Sequence, residues 1–427
     1  MPSLPGSLRA LIVVSLIAAA TLRLAFPRDV EYKRDESVMW GLAHSDSLAT
    51  TMGGLGMPSG VGLRNPALSA GVFVALTRAT EPATPAELAR GVACMALAAL
   101  GLLALFAVTQ VEAEHRAAWI WALALACVNP LAVLLQRKIW AQSVLPVFCI
   151  AYVAAWWHRR HPYGAFAWGL IGALLGQIHM SGFVFALAIA VWTALAGWLG
   201  GRTGTRWIAW FLGSLCGGLV LLPWVLYVAV SPRNGSNLLE ILSKFATDPA
   251  AHTLFWQFWL TDATGTGLVY SLGPEHFASF LRSPEVAGGA TWLMAALHLV
   301  VLVAVAPPLA RELARLWNES SLREQLVRGM QTDTGLLVQA AFVGFGLLFA
   351  LSGIHLVRHY LVVTFPLEWL WLSSVVLRHS ARPGRTLGAV WLAQLSISAG
   401  FLLYIHAHGG APGGDYGVVF DRQFPLP

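Results

Sequence analysis

Apolar residues fill this chain in runs of roughly 20, each long enough to cross a bilayer core of about 30 Å as a helix. The pattern predicts eleven spans, near residues 8–26, 88–109, 117–135, 141–157, 163–180, 182–199, 207–230, 290–310, 334–352, 358–377 and 386–405. A membrane β-barrel would instead alternate apolar and polar positions over about ten residues. The expected fold is all-α, a polytopic integral membrane protein. The first run carries Arg23 where a cleavable signal would be small and neutral, so it reads as a retained helix.

Loop charges orient the spans. The loops 158–162, 200–206 and 378–385 carry arginines, and 311–333 holds Arg311, Arg315, Arg323 and Arg328. Eleven spans put all four loops on one face, and arginine in short loops marks the cytoplasm. The N-terminus is then inside. The long segments 27–87 and 231–289 fall outside, with the tail from His406. In the first, Glu36–His44 and Pro66–Thr77 are too short to span and read as surface helices. A Gly/Pro-rich turn region, MGGLGMPSGVGLRNP, separates them. The aromatic run HTLFWQFWL in the second reads as an interface belt, with a lipid- or sugar-contacting surface as the alternative. Residues 1–405 form one membrane domain, and 406–427 are an extracytoplasmic tail. That tail is Gly-rich and disordered by default, yet it holds Asp415, Tyr416 and Asp421, so folding over the outer cavity is the alternative.

Composition narrows the class. Of 427 residues, 57% are hydrophobic and only 11% charged, against about 25% charged in soluble proteins. The net charge of +6 comes from scattered arginines with no basic stripe or recognition module, so nucleic acid is not an expected partner. Cys94, Cys127, Cys149 and Cys216 all lie in apolar runs without a CxxC pair and read as packing residues. Lysine is confined to Lys33, Lys138 and Lys244 while arginine and alanine abound, a bias of GC-rich bacterial genomes that points to a bacterial inner membrane.

In so apolar a chain the acidic pair Asp35-Glu36, just past the first span, stands out. A carboxylate at a membrane surface can accept a proton from a lipid-borne substrate. The plain alternative is a solvated loop pairing with Lys33, Arg34 and Arg28. Further candidates follow in the same outer register: RDESVMWGLAH from Arg34, GLRNPALSAGVFVAL from Gly62, NPLAVLLQRKIWAQSVLP from Asn129 and RHYLVVTFPLEWL from Arg358. In order and placement these stretches resemble the GT-C class of membrane glycosyltransferases. More narrowly, they resemble glycosyltransferase family 39, which includes protein O-mannosyltransferases and lipid A aminoarabinose transferases. The likeness covers roughly residues 8–380.

The resemblance implies transfer of a sugar from a polyprenyl-phosphate donor to an acceptor hydroxyl outside the cytoplasm, the acceptor being a glycan, a lipid or a protein. It maps the family's presumed general base onto Asp35, with Glu36 orienting the acceptor or pairing with a cation. Where mannosyltransferases carry an acidic residue before the fourth helix, this chain has Gln142, so a second carboxylate is missing. A single carboxylate favours direct displacement and inversion, since a retaining reaction wants a second one as nucleophile. The leaving phosphate needs cations. Arg137 and Lys138 stand in a short outer turn, where unused charge is costly, and snorkelling to lipid headgroups is their alternative. Arg358, beside His359 and Tyr360, is the other phosphate candidate, suited to a bidentate grip.

His179 closes the fifth helix at the same depth, with substrate contact set against a hydrogen-bonded structural role. His359 and Asp415 complete the candidate substrate contacts. His355 and His359 share a helix face if the helix is continuous, but no carboxylate stands at ligand spacing, so no metal ligand is assigned. No cofactor is specified, and a divalent metal is left open. Membrane lipids are expected partners. The rival readings are a transporter or lipid-carrier flippase, and a non-catalytic assembly subunit. Transport would place ionisable groups along the spans, whereas of Asp, Glu, Lys and Arg only Arg23 and Glu368 fall more than two residues inside them.

Overall fold

The computed structural model describes residues 4–45, 55–58, 64–200, 204–230, 251–318, 321–352 and 356–424. The first apolar run is helix α1 (Gly6–Leu24), followed by the short α2 (Arg34–Ala43). An antiparallel strand pair, Leu55–Pro58 with Arg64–Pro66, leads to α3 (Leu68–Thr80). Next come α4 (Pro85–Thr109), α5 (Ala113–Val128), α6 (Pro130–Leu135), α7 (Leu145–Trp157) and α8 (Pro162–Ile178). They are followed by α9 (Ser181–Gly200), α10 (Trp207–Leu219), α11 (Leu222–Val230), α12 (Ala251–Thr264) and α13 (Val269–Arg282). The later helices are α14 (Leu293–Asn318), α15 (Leu322–Gly329), α16 (Asp333–Gln339), α17 (Gly346–Ser352), α18 (Leu367–His379), α19 (Pro383–His408) and the single turn α20 (Phe420–Gln423). A π-helical stretch, Ala340–Phe345, joins α16 to α17. Tight 3-10 turns at Ala141–Val144 and Arg358–Thr364 precede α7 and α18.

All eleven predicted spans coincide with helical structure. Six helical runs among the described residues are long and apolar enough to cross a membrane, and two bent pairs raise this to as many as eight. The protein is therefore an all-α, multi-pass membrane protein with fewer unbroken spans than its apolar runs suggest. Local chemistry explains the breaks. The run 117–135 divides at Asn129, whose side chain accepts hydrogen bonds from Leu131 N (3.0 Å) and Ala132 N (3.2 Å), ahead of Pro130, which has no N–H to donate. The run 358–377 bends by 73° at Phe365-Pro366, for the same lack of a donor. The run 207–230 bends by 64° between α10 and α11. By contrast α14 overruns its predicted end at residue 310, so Arg311 and Arg315 lie on a helix rather than in a loop.

Helix α5 is the hub. Each residue from Ala122 to Val128 is fully buried, as expected of a helix apolar on all sides. It packs against α1, α4, α18 and α19. The segments 36–44 and 66–77, expected as short surface helices, are α2 and α3. The aromatic run of α12 departs from the interface-belt expectation: Phe255, Phe258 and Trp259 are buried, with Phe255 against Phe345 (5.4 Å between ring centroids) and Trp259 against Phe342 (5.5 Å). These rings fill the gap between α12 and the π-helical stretch. The tail is also not the disordered end its glycines suggested. It is ordered to Phe424 and folds back onto the α1–α2 loop.

Candidate functional site

Asp35 and Glu36 sit in the first turn of α2, where the helix dipole favours carboxylates. Successive helical residues point about 100° apart, so the two face different surroundings. Asp35 is exposed and makes no hydrogen bond or ion pair among the described residues. Glu36 is fully buried, and its Oε2 accepts the Lys33 backbone N–H at 2.9 Å, capping the helix. Its Oε1 is buried with no hydrogen-bond partner among the described residues.

Glu31, which the sequence did not single out, organises the charges around this turn. Its buried carboxylate lies 2.7 Å from Lys33 Nζ and pairs on its other oxygen with Lys138 Nζ. Lys138, itself buried, rests over the Trp140 ring at 3.9 Å. Trp140 meets His359 edge-on at 5.4 Å, and His359 touches Tyr360 (5.0 Å) and His179 (6.0 Å). His179 is held by Ser181 Oγ at 2.7 Å. A continuous line of contacts thus runs from α2 through the turn before α7 to the start of α18.

Burial raises the Glu36 carboxyl to about 7, and the neighbouring Glu31 charge adds to this while Lys138 opposes it. Glu31 is also raised by burial, against the pull of both lysines. For Lys33 burial works the other way, but Glu31 outweighs it and the ammonium is raised.

The remaining candidates separate. Arg137 points away from this line: its guanidinium donates to the carbonyls of Leu22 (2.8 Å), Arg23 (3.2 Å), Ala25 (2.6 Å) and Phe26 (2.9 Å). The first two are orphan acceptors in the last turn of α1 and the others follow it, so Arg137 caps that helix, correcting its expected place beside a phosphate. Gln142 is half-buried in its 3-10 turn. Arg358 donates Nε to Asp262 Oδ1 at 2.8 Å and Nη1 to the Gly267 carbonyl, leaving Nη2 without a partner among the described residues. Burial pushes Asp262 up to about 6, even with Arg358 beside it. Tyr360 is half-buried between His179 and Phe349. The exposed Asp415 reaches Lys33 mainly through its carbonyl, its carboxylate standing 3.6 Å away. His355, and most of the turn region before α3, lie outside the described residues.

The arrangement offers an exposed carboxylate beside buried cations. Lys33, Lys138 and Arg358 face the carboxylates Glu31, Asp415 and Asp262, and Arg358 Nη2, without a partner among the described residues, is the donor left for an anionic group. Among the described residues no group of three or more His, Cys, Asp or Glu is placed to hold a metal ion. Asp262 had a usable signal: an ionisable residue closing an apolar aromatic run is costly unless paired.

No protein-family model matches the chain, and no curated protein matches it. Among solved structures it is similar to the apo crystal structure of the Archaeoglobus fulgidus oligosaccharyltransferase, at 14% identity and a TM-score of 0.46. The match covers 92% of this chain and 56% of that one, so the chain spans little more than half the length of the protein it resembles.

Proposed function

We propose that this protein is a glycosyltransferase of the GT-C kind, moving a sugar from a polyprenyl-phosphate donor to an acceptor hydroxyl on the outer face of a membrane. One observation carries the reading. Two of the four stretches that resemble family 39, far apart in sequence, meet at Trp140 and His359, and Lys138 ties them to Glu31, just ahead of the Asp35-Glu36 stretch.

In this reading Asp35 takes the acceptor proton, since its carboxylate is the one open to an incoming hydroxyl. The acceptor oxygen bonds to the anomeric carbon as the carbon–oxygen bond to phosphate breaks. The electron pair leaves with the phosphate, which Lys138 and the free edge of Arg358 neutralise. A single displacement of this type inverts the anomeric centre. Glu36 holds the start of α2 and the protonation state of the charged centre. The test is transfer of labelled sugar from a polyprenyl-phosphate donor by purified protein. Wild type should transfer, and Arg358→Ala should raise the donor KM; absence of transfer with every such donor refutes the reading.

A lipid-carrier transporter is the second reading, favoured by a small polar-lined cavity of about 30 Å³ between the helices. Asn129, Gln136, Asp262 and Glu368 line it, with Phe365 and Trp369. Polar groups facing an enclosed space at that depth mark pathways in transporters. Carrier flux in proteoliposomes that Glu368→Gln abolishes, without any sugar transfer, would establish that reading instead.

A further inference from the structure

We propose that the segment Gly414–Phe424 is a working part of the charged centre, with Tyr416 as the positioning residue that holds the α1–α2 loop beneath Glu31 and Glu36. The catalytic consequence rests on the transferase reading above; the structural claim does not.

The segment adds to the loop backbone to backbone. Phe420 N donates to Val30 O at 2.9 Å, Asp421 N to Arg28 O at 3.2 Å, and Val419 forms a β-bridge with Glu31. Side chains lock the same pairing: Arg28 with Asp421, and Gln423 Nε2 to Tyr32 O at 2.7 Å. Every residue of the loop from Arg28 to Lys33 thus meets the tail or a group the tail holds. Tyr416 lies at the centre. It is buried, and its hydroxyl donates to Asp29 O at 2.6 Å. Asp29 in turn pairs with His406 at the end of α19 (2.7 Å).

Two glycines show that this fit is built. A Cβ on Gly414 would stand 2.2 Å from Leu272 O, so only glycine lets the tail cross α13, where Tyr416 N reaches Ser271 O at 2.9 Å. Gly417, at φ 70°, would press a Cβ to 2.8 Å from Lys33 Cδ. The stem of Lys33 lies against Gly417, and its ammonium is tied to the Asp415 carbonyl. Lys33 is one of the two cations on Glu31, and its backbone N–H caps Glu36.

The titratable groups around Glu36 and its neighbours Lys33 and Tyr416 come from three elements. The loop supplies Glu31, Lys33 and Asp29, the turn before α7 supplies Lys138 and Arg137, and the tail supplies Tyr416 and Asp415. Removing the tail takes away two of these and opens the rest to water. Glu36 should then titrate nearer an ordinary glutamate.

The experiment uses full-length protein in detergent, Tyr416→Phe, a chain stopped after His408, and Pro412→Ala as an exposed tail control. A hydrophobic carbodiimide labels protonated buried carboxyls, and mass spectrometry reads the label on Glu36 across pH. The expected result is a midpoint near 7 in wild type and Pro412→Ala, lowered by about one unit or more in the stopped chain and by less in Tyr416→Phe. If wild type transfers sugar, Tyr416→Phe should lower kcat about tenfold with donor KM within about twofold, the scale of one displaced hydrogen bond. Equal midpoints and equal kcat in all four proteins overturn the inference. If the stopped chain does not fold, Tyr416→Phe, which removes one oxygen, decides alone. If wild type transfers no sugar, the transferase reading fails, and the labelling midpoints still decide this inference.

Discussion

Two clusters of charge stand at opposite ends of α18. At its far end, Glu312 meets, among the described residues, Arg315 at 2.7 Å, Arg378 at 3.1 Å and the His379 ring. Arg378 is 52% exposed, so water shares the work of solvating it. At the near end, Glu31 and Lys138 are 0% and 3% exposed, and a second carboxyl, Glu36, is set against the first. A carboxylate surrounded by cations at a surface is a latch between helices. Two buried carboxyls sharing one buried and one half-buried lysine make a centre whose charge can change near neutral pH. That contrast assigns chemistry to one end and packing to the other.

Removing a carboxylate from each end should separate them most widely. Glu31→Ala leaves the buried Lys138 ammonium without its carboxylate, a change worth about 3–5 kcal/mol. Glu312→Ala, which leaves no cation buried because Arg378 and Arg315 both reach water, should cost less, about 1 kcal/mol. Thermal unfolding in detergent reads both; equal losses would erase the distinction. Next in size is donor use. Lys138→Ala should lower kcat/KM for a polyprenyl-phosphate sugar about a hundredfold, as loss of a charge-stabilising group does, whereas Arg378→Ala leaves it unchanged.

Acidity sharpens the comparison further. The Glu36 carboxyl titrates near 7 when folded and near 4.5 when unfolded, so in between the folded protein holds the extra proton. Stability from this group is intact at low pH and declines as pH rises through that window. Wild type should lose thermal stability relative to Glu36→Gln from about pH 5 to about pH 8, and parallel profiles would contradict the assignment. The smallest effect belongs to Gly267, whose added Cβ would lie 3.2 Å from Arg358 Cζ. Gly267→Ala should nudge the guanidinium and raise donor KM by about threefold or less, a shift of under 1 kcal/mol. A donor KM equal to wild type would remove Gly267 from the account.

How much of this was legible beforehand differs between the same two kinds of feature. Element type followed from run length and periodicity: α2 and α3 fall on the segments judged too short to span, and α1 on the first apolar run. The weight of the Asp35-Glu36 turn was visible because charge is rare here. The role of Glu31 was hidden, because in RDVEYKRDE it looks like one more charge in a solvated loop. Its burial depends on a tail hundreds of residues later, and no local pattern encodes such a contact. Arg137 misled for the same reason. Its position near a bilayer surface signalled a used charge, but its acceptors are the carbonyls ending a helix more than a hundred residues earlier. Asn129, Pro130 and Pro366 were readable as breakers and explain why apolar length overstated the number of unbroken spans.

The central claim is that the carboxylate turn at the start of α2 deprotonates an acceptor for transfer from a lipid-phosphate sugar. Its most direct test is single-turnover transfer by purified wild type and by Asp35→Asn, checked for equal folding, with one polyprenyl-phosphate donor. The account predicts a fall in the transfer rate of about 10²–10⁴-fold with donor binding retained. Asp35→Asn protein that transfers at the wild-type rate would contradict it.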